Sequence, residues 1–139
     1  MPVTIIPHLS FRGNCEEALQ TYVAAFGGEV LYMSRWTEAT CETPEQAGKV
    51  MHAKFCLGAT RMAASDNFSA AAPGDAVKLM IHMENMDEAR RAVALLAEGG
   101  EVISPLKPHP APDDGGCGSV TRDRFGYTWI ITCPNPDRR

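Results

Sequence analysis

Three of the four histidines, His8, His52 and His82, lie in segments where apolar and polar residues alternate as in a strand. Successive side chains of a strand point to opposite faces. If the apolar neighbours, such as Leu9, face the core, all three imidazoles face the other side. Converging imidazoles would suit zinc or proton transfer. The more economical interpretation is three separate strand histidines, because parity fixes a face and not a distance.

Four other side chains are predicted to point to the same side of the sheet, away from the helix. Ser10 shares its segment with His8, and two more share theirs with His82. Ile130 lies between Trp129 and Ile131, which we expect to pack against a helix. The candidate residues for binding a small-molecule ligand are therefore His8, Ser10, His52, Lys78, Met80, His82 and Ile130.

The cysteines give a weaker signal. They are five in number, widely separated, and form no CxxC pair, so a structural zinc site is not expected. Free thiols in a reducing cytoplasm are the simpler interpretation. Cys117 lies in a glycine-rich stretch and could be a reactive thiol, but no neighbouring base in the sequence supports a nucleophile there.

An internal repeat supplies the elements that would position these residues. Two segments open with Asn followed three residues later by Glu, the capping-box pattern that begins a helix, and both end in a Gly-Gly pair that ends one. An apolar stripe at helical spacing lies between these signals. The segments run from Asn14 to Gly27-Gly28, with stripe residues Ala18, Leu19, Tyr22, Val23 and Phe26, and from Asn85 to Gly99-Gly100, with stripe residues Ala89, Ala92, Val93 and Leu96.

Extended segments surround each predicted helix, so each half follows the order β-α-β-β-β. One helix cannot cover both faces of a four-stranded sheet. We therefore predict a single α+β domain, residues 1–139, in which two βαβββ modules (about 4–66 and about 77–134) form a curved mixed-sheet half-barrel around a cavity. The predicted strands are 4–11, 29–36, 50–57 and 60–65, then 77–83, 101–106, 119–121 and 127–133, with loops at 37–48 and 107–118.

Four stretches of the chain resemble PhnB-like proteins, a branch of the vicinal oxygen chelate superfamily. That superfamily includes glyoxalase I, bleomycin-resistance proteins and extradiol dioxygenases. The resemblance implies the paired βαβββ, glyoxalase-like fold and a homodimer. The stretches occur in the family's order and are residues 6–18, 52–55, 62–66 and 120–129.

The resemblance also implies four strand positions that hold a divalent metal in the superfamily's enzymes. Here they fall near Ile6 or Pro7, near Ala64, at Lys78 and at Ile130. None of these side chains is a metal ligand at neutral pH, so we expect no metal and no other cofactor. The expected function is binding of a small organic molecule, as in bleomycin-resistance proteins. The alternative is a metal- or histidine-dependent enzyme of the lyase, isomerase or dioxygenase type with a rearranged site.

Charge and hydropathy exclude other classes of function. The formal net charge of −4 argues against a general nucleic-acid binder, which needs a basic surface. No apolar run approaches the ~20 residues that span a bilayer. No secretory signal is visible at the N-terminus. We therefore expect a cytoplasmic protein with neither a nucleic-acid nor a membrane partner.

Overall fold

The computed structural model describes residues 2–138, so Met1 and Arg139, the ends of the predicted domain, lie outside the described residues. The chain divides into two compact units, with the boundary between Ala71 and Ala72. We call these the first and second modules and describe each by itself. The single-domain organisation stays a prediction.

The first module is a four-stranded mixed sheet with one helix. The strand order is β1-β4-β3-β2; β1 pairs with β4 in parallel, and the other pairs are antiparallel. A short 3-10 turn, Pro44–Gln46, lies between β2 and β3. The elements are β1 (His8–Phe11), α1 (Cys15–Phe26), β2 (Gly28–Arg35), β3 (Val50–Leu57) and β4 (Thr60–Asp66).

The second module repeats this arrangement with the strand order β5-β8-β7-β6. Again the first strand pairs in parallel with the last, and the other pairs are antiparallel. The predicted duplication and the α+β class are confirmed. The elements are β5 (Leu79–His82), α2 (Met86–Ala97), β6 (Glu101–Pro108), β7 (Gly116–Arg122) and β8 (Thr128–Pro134).

Each helix packs on one face of its own sheet. The sequence predicted most of the buried helical residues but set both stripes slightly wrong. Val23, Phe26 and Val93 are only half-buried, and the buried stripe of α1 includes Cys15 and Ala25 in place of Val23 and Phe26. The fully buried helical residues are Cys15, Ala18, Leu19, Tyr22 and Ala25 in α1, and Ala89, Ala92 and Leu96 in α2.

Several predicted strand limits were wrong. β1 begins at His8 rather than at residue 4, directly after Pro7, which has no N–H to donate to a sheet. β5 begins at Leu79 and leaves Lys78 outside the sheet. The predicted loop 107–118 is shorter: β6 continues to Pro108, which is tolerated because β6 is an edge strand, and β7 begins at Gly116.

The N-terminus of α1 is capped by a residue distant in sequence. Asn14 makes no side-chain capping bond, so its predicted role was wrong. Instead the buried Asp66 carboxylate accepts hydrogen bonds from the N–H groups of Gly13 (2.8 Å) and Cys15 (3.0 Å) with one oxygen. Its other oxygen accepts from Val50 N–H at 2.9 Å. One carboxylate therefore holds the end of β4, the start of α1 and the start of β3 together.

α2 follows the predicted local pattern. The Asn85 side chain accepts a hydrogen bond from the N–H of Glu88 at 2.9 Å.

At the C-terminal end of α1, Gly27 has a φ of 79° and ends the helix as predicted. Gly28 has a further role, since a Cβ there would collide with the carbonyl oxygen of Cys56 on the neighbouring strand.

We expect Asp66→Ala to lower the free energy of unfolding by about 3 kcal/mol, because several N–H groups would lose a charged acceptor in a buried place. Asn85→Ala should cost about 1 kcal/mol, the usual value of a capping side chain. Asn14→Ala is the matched control and should change stability by less than about 0.5 kcal/mol. Urea unfolding measures all three. An Asn14→Ala loss as large as that of Asn85→Ala would contradict this account of the caps.

Candidate functional site

The face of the first sheet that α1 leaves uncovered carries the predicted polar residues. Leu9 and Phe11 are buried on the helix side of β1, whereas His8 and Ser10 are more exposed. β3 alternates in the same way, and His52 lies on the uncovered side. The predicted parity is therefore confirmed for these strands. We call this surface, formed by His8, Ser10, Tyr32, Ser34, His52, Lys54, Ala63 and Ser65, the open face of the first module.

The strand register places these side chains in two rows across the open face. One row runs through Tyr32, Lys54, Ala63 and His8 as direct cross-strand partners. Adjacent strands lie about 4.8 Å apart, so the small Ala63 leaves room between the longer side chains of Lys54 and His8. The second row contains Ser34 opposite His52, and Ser10 opposite Ser65.

Aromatic and charged groups contact one another within this face. The rings of Tyr32 and His52 have centroids 6.2 Å apart. The Lys54 ammonium lies 5.8 Å from the centre of the Tyr32 ring, within the range of a cation–π contact. The sequence analysis did not find Tyr32 because a β-bulge follows Val30 and changes which side of the sheet the later residues of β2 face.

The environment of His8 changes its acid–base behaviour. Its Nε2 lies 3.3 Å from Ser65 Oγ, within hydrogen-bonding distance. Partial burial lowers the pKa of His8, and the nearby His52 lowers it further, because a second positive charge disfavours protonation. The neutral imidazole is therefore the favoured form at neutral pH, and it can accept a proton.

The predicted ligand residues of the second module are less closely grouped. Met80 and Ile130 are direct cross-strand partners, and Met80 is 67% exposed. His82 Nδ1 lies 2.8 Å from Thr132 Oγ1. Lys78 precedes the sheet, and its ammonium donates to the carbonyl oxygen of Asp75 at 2.7 Å. The structure thus brings His8, Ser10 and His52 together in one module, and the separation of His82 from them stays a prediction.

A small cleft of about 160 Å³ lies on the second sheet, on the side that α2 leaves uncovered. The imidazole of His109 lies against Gly118 so closely that a Cβ there would collide with the ring. The sequence analysis missed this cleft because it assigned both residues to a loop. Its lining includes Ser104, Lys107, His109, Gly118, Val120 and Ile130.

The residues at the superfamily's metal positions do not fit a divalent cation. Ile6, Pro7 and Ile130 have no donor atom in their side chains, and the Lys78 ammonium is a donor without a lone pair. Ala64 is fully buried on the helix side of β4, and its methyl side chain has no donor atom either. Within residues 2–138, no three His, Cys, Asp or Glu side chains cluster closely enough to hold a metal ion.

Comparison with solved structures defines the class of protein. A glyoxalase/bleomycin resistance protein/dioxygenase domain from Frankia sp. EAN1pec has a TM-score of 0.66 at 14% identity, over 98% of this chain and 94% of that one. At this identity the likeness concerns the fold alone. The two βαβββ modules have the glyoxalase-like fold, as the sequence predicted.

The family follows from closer relatives. The chain belongs to the PhnB-like family whose model is described as 3-demethylubiquinone-9 3-methyltransferase and matches residues 3–132. The PhnB protein from Bacillus cereus is 26% identical over 94% of this chain and 99% of its own, with a TM-score of 0.81. Protein PA1353 from Pseudomonas aeruginosa is 30% identical over 96% and 98%, with a TM-score of 0.80. Protein YjdN from Escherichia coli K12 is 27% identical over 94% of both chains.

None of the helices described between residues 2 and 138 is long and apolar enough to cross a membrane. The cytoplasmic location stays a prediction.

We expect His52→Gln to raise the pKa of His8 toward its ordinary value, because the substitution removes one of the two causes that lower it. The pKa should remain below the ordinary value, since burial is the larger cause. Proton NMR titration of the imidazole C–H signals measures this change. Lys49→Gln, which removes a positive charge outside the open face, is the control and should leave the pKa of His8 unchanged.

The same shift affects stability at low pH. His8 binds a proton less readily in the folded than in the unfolded chain, so it has no effect well above pH 6.5, its ordinary pKa, and destabilises the fold as the pH falls below that value. In His8→Gln the free energy of unfolding should depend less on pH in this range.

For the titration, an unchanged His8 pKa in His52→Gln would contradict the proximity of the two rings. If the histidines are separate, His82→Gln should leave the pKa of His8 unchanged. If they converge, the pKa of His8 should rise in this variant.

Proposed function

We propose that the protein binds a small organic molecule on the open face of the first module, without the superfamily's metal. The observation that carries the proposal is the concentration of hydrogen-bonding and aromatic side chains on the one sheet face that α1 does not cover. The opposite face of the same strands is apolar and buried. Ordinary core packing accounts for that buried face, but not for the composition of the open one.

The chemistry of the open face favours a ligand with an anionic or hydrogen-bond-accepting group. Lys54 supplies a positive charge, His52 lies on the same strand and face, and Ser10 adds a hydroxyl on β1. Tyr32 adds an aromatic surface, against which an apolar part of the ligand could pack. A small carboxylate attached to a ring or a short chain would use both kinds of contact.

The second module carries its own candidate ligand residues. Met80 and Ile130 form an apolar pair on β5 and β8, next to His82. Binding pockets for small molecules are mainly apolar with a few placed polar groups. We propose that Met80, His82 and Ile130 form a ligand-contacting surface of the second module. Lys78 has the weakest support, because it lies outside the sheet and its ammonium is already bonded to a backbone carbonyl.

An enzyme that uses histidine is the second candidate, and the environment of His8 favours it. Burial and a neighbouring imidazole keep His8 neutral near pH 7, as a general base requires. Ser65 Oγ contacts its ring and could orient it. In this case a bound compound would be converted to a product, and His8→Gln would abolish conversion while binding remained.

Binding is tested with a panel of small organic carboxylates, each paired with a neutral amide of similar size, and with S-adenosylmethionine, because the family description names a methyltransferase. We expect at least one carboxylate to bind better than its amide. Its Kd should weaken about 10-fold or more in Lys54→Ala and His52→Ala, since a bond to a charged group contributes about 1.5–3 kcal/mol. Isothermal titration calorimetry measures the affinities, and product analysis by mass spectrometry detects conversion.

Lys49→Ala is the matched control, because it removes an exposed lysine only five positions before Lys54 and off the open face. It should bind the carboxylate as the unmodified protein does. Equal weakening in Lys49→Ala and Lys54→Ala would indicate general charge attraction and contradict the proposed site. Binding of S-adenosylmethionine in preference to every carboxylate would replace the proposal with methyl transfer.

We also propose that the protein is a homodimer that pairs through β2. This edge strand exposes three large side chains in succession, Val30 (41%), Leu31 (45%) and Tyr32 (51%). Exposed apolar edge strands pair readily with another chain. Because a two-fold dimer uses the same surface on both copies, the β2 strands of two copies can add to one another.

Leu31→Lys should convert the dimer to a monomer, because two lysines would face each other across the two-fold axis. Sedimentation velocity measures the change in mass. Val77→Lys alters the net charge equally at a position that is 83% exposed and does not belong to β2, and this control should remain dimeric. A monomeric unmodified protein, or a dimer that persists in Leu31→Lys, would disprove the proposed interface.

A further inference from the structure

Three sulfur-containing side chains lie on the helix-covered side of the second module. Cys117 on β7 and Cys133 on β8 are direct cross-strand partners, and both are buried. The Cys117 thiol is one of the groups that raise the pKa of Cys133, after burial. Cys133 Sγ also lies 4.0 Å from Sδ of Met86, the first residue of α2. Cys117 was predicted to lie in a loop, but it belongs to β7 and is buried.

The strand register does not favour a disulfide between the two cysteines. On the same ladder, Asn135 N–H donates to Gly115 and Asp123 N–H donates to Tyr127. Hydrogen-bonded pairs alternate with non-bonded ones, so Cys117 and Cys133 form a hydrogen-bonded pair. The Cβ atoms of such pairs lie about 5.5 Å apart. A disulfide needs a Cβ separation of about 3.5–4.5 Å, so an atom placed between the sulfurs fits this pair better.

The distance between Cys133 Sγ and Met86 Sδ matches a three-coordinate metal. With metal–thiolate bonds of about 2.3 Å, the corners of a planar trigonal site lie about 4.0 Å apart. The separation of Cys133 and Met86 has this value. Thiolate and thioether ligands together select the cuprous ion, whereas zinc requires four ligands. We propose that Cys117, Cys133 and Met86 bind one cuprous ion.

The surroundings suit the charge change that binding requires. Both thiols would release a proton to solvent, and two thiolates, one thioether and Cu⁺ form a complex with a net charge of −1. Arg90, one turn after Met86 on α2, acts on Cys133 with its positive charge and would offset that charge. Met86 is only half-buried, so one of the three proposed ligands is partly accessible to solvent. Until the ion binds, burial raises the pKa of Cys133 and keeps it a thiol.

The test is an anaerobic titration in which the protein competes with a chromophoric cuprous chelator. We expect one tightly bound ion per chain. Cys117→Ser and Cys133→Ser should each weaken binding about 100-fold or more, since changes outside the ligand shell already cost about 10–100-fold. Met86→Leu, which keeps the side-chain size, should weaken it less, about 10-fold, because a thioether is the weaker ligand. X-ray absorption should give three sulfur neighbours at about 2.3 Å.

The control is the Cys41→Ser, Cys56→Ser double variant, which removes the two more exposed thiols and should retain the site. If the serine variants of the buried cysteines fail to fold, alkylation of the unmodified protein followed by peptide mass spectrometry gives the same information. Because both thiols are buried, they are alkylated only when the fold opens transiently, and the cuprous ion should slow that alkylation at Cys117 and Cys133 selectively. Protection of Cys41 or Cys56 instead, full affinity in Cys117→Ser, or a preference for zinc would each overturn the proposal. None of these outcomes bears on the proposed binding of organic molecules, which uses the other side of the sheets.

Discussion

A four-stranded sheet has two faces, and a single helix packed on it can cover only one of them. Each module of this protein contains one such helix, α1 or α2, and the helix determines which side chains become core. Most buried side chains of the inner strands face that helix. The side chains on the other face are therefore free to differ in chemistry, and in the first module they are histidine, lysine, serine and tyrosine. The proposed function depends on this division.

The Asp66 carboxylate shows how the covered face supports the open one. It joins the end of β4 to the first turn of α1 and to the first residue of β3. The strands that carry His8, His52 and Ser65 are thus fixed relative to the helix from one end. A ligand site on rigid strands loses less conformational freedom on binding than one on loops. Because Asp66 caps α1, the side chains proposed to bind the ligand do not have to cap the helix as well.

Much of this arrangement could be predicted from the sequence, since alternation and capping signals are local. The parity of His8, His52 and Lys54 followed from neighbouring apolar residues, and the two helices followed from Asn, Glu and Gly spacing. Non-local features could not be predicted. The partner of the Cys15 N–H is 51 residues away in the chain. The bulge that turns Tyr32 to the open face depends on its pairing with β3, and the strand identity of Cys117 depends on its pairing with β8.

The central claim is that the face left open by α1 is the ligand site. A crystal structure of the protein with the tightest-binding carboxylate of the panel tests it most directly. The account predicts the carboxylate within hydrogen-bonding distance of Lys54 or His52, with its apolar part against Tyr32. Ligand density against α1, or in the cleft beside His109 with the open face empty, would contradict it.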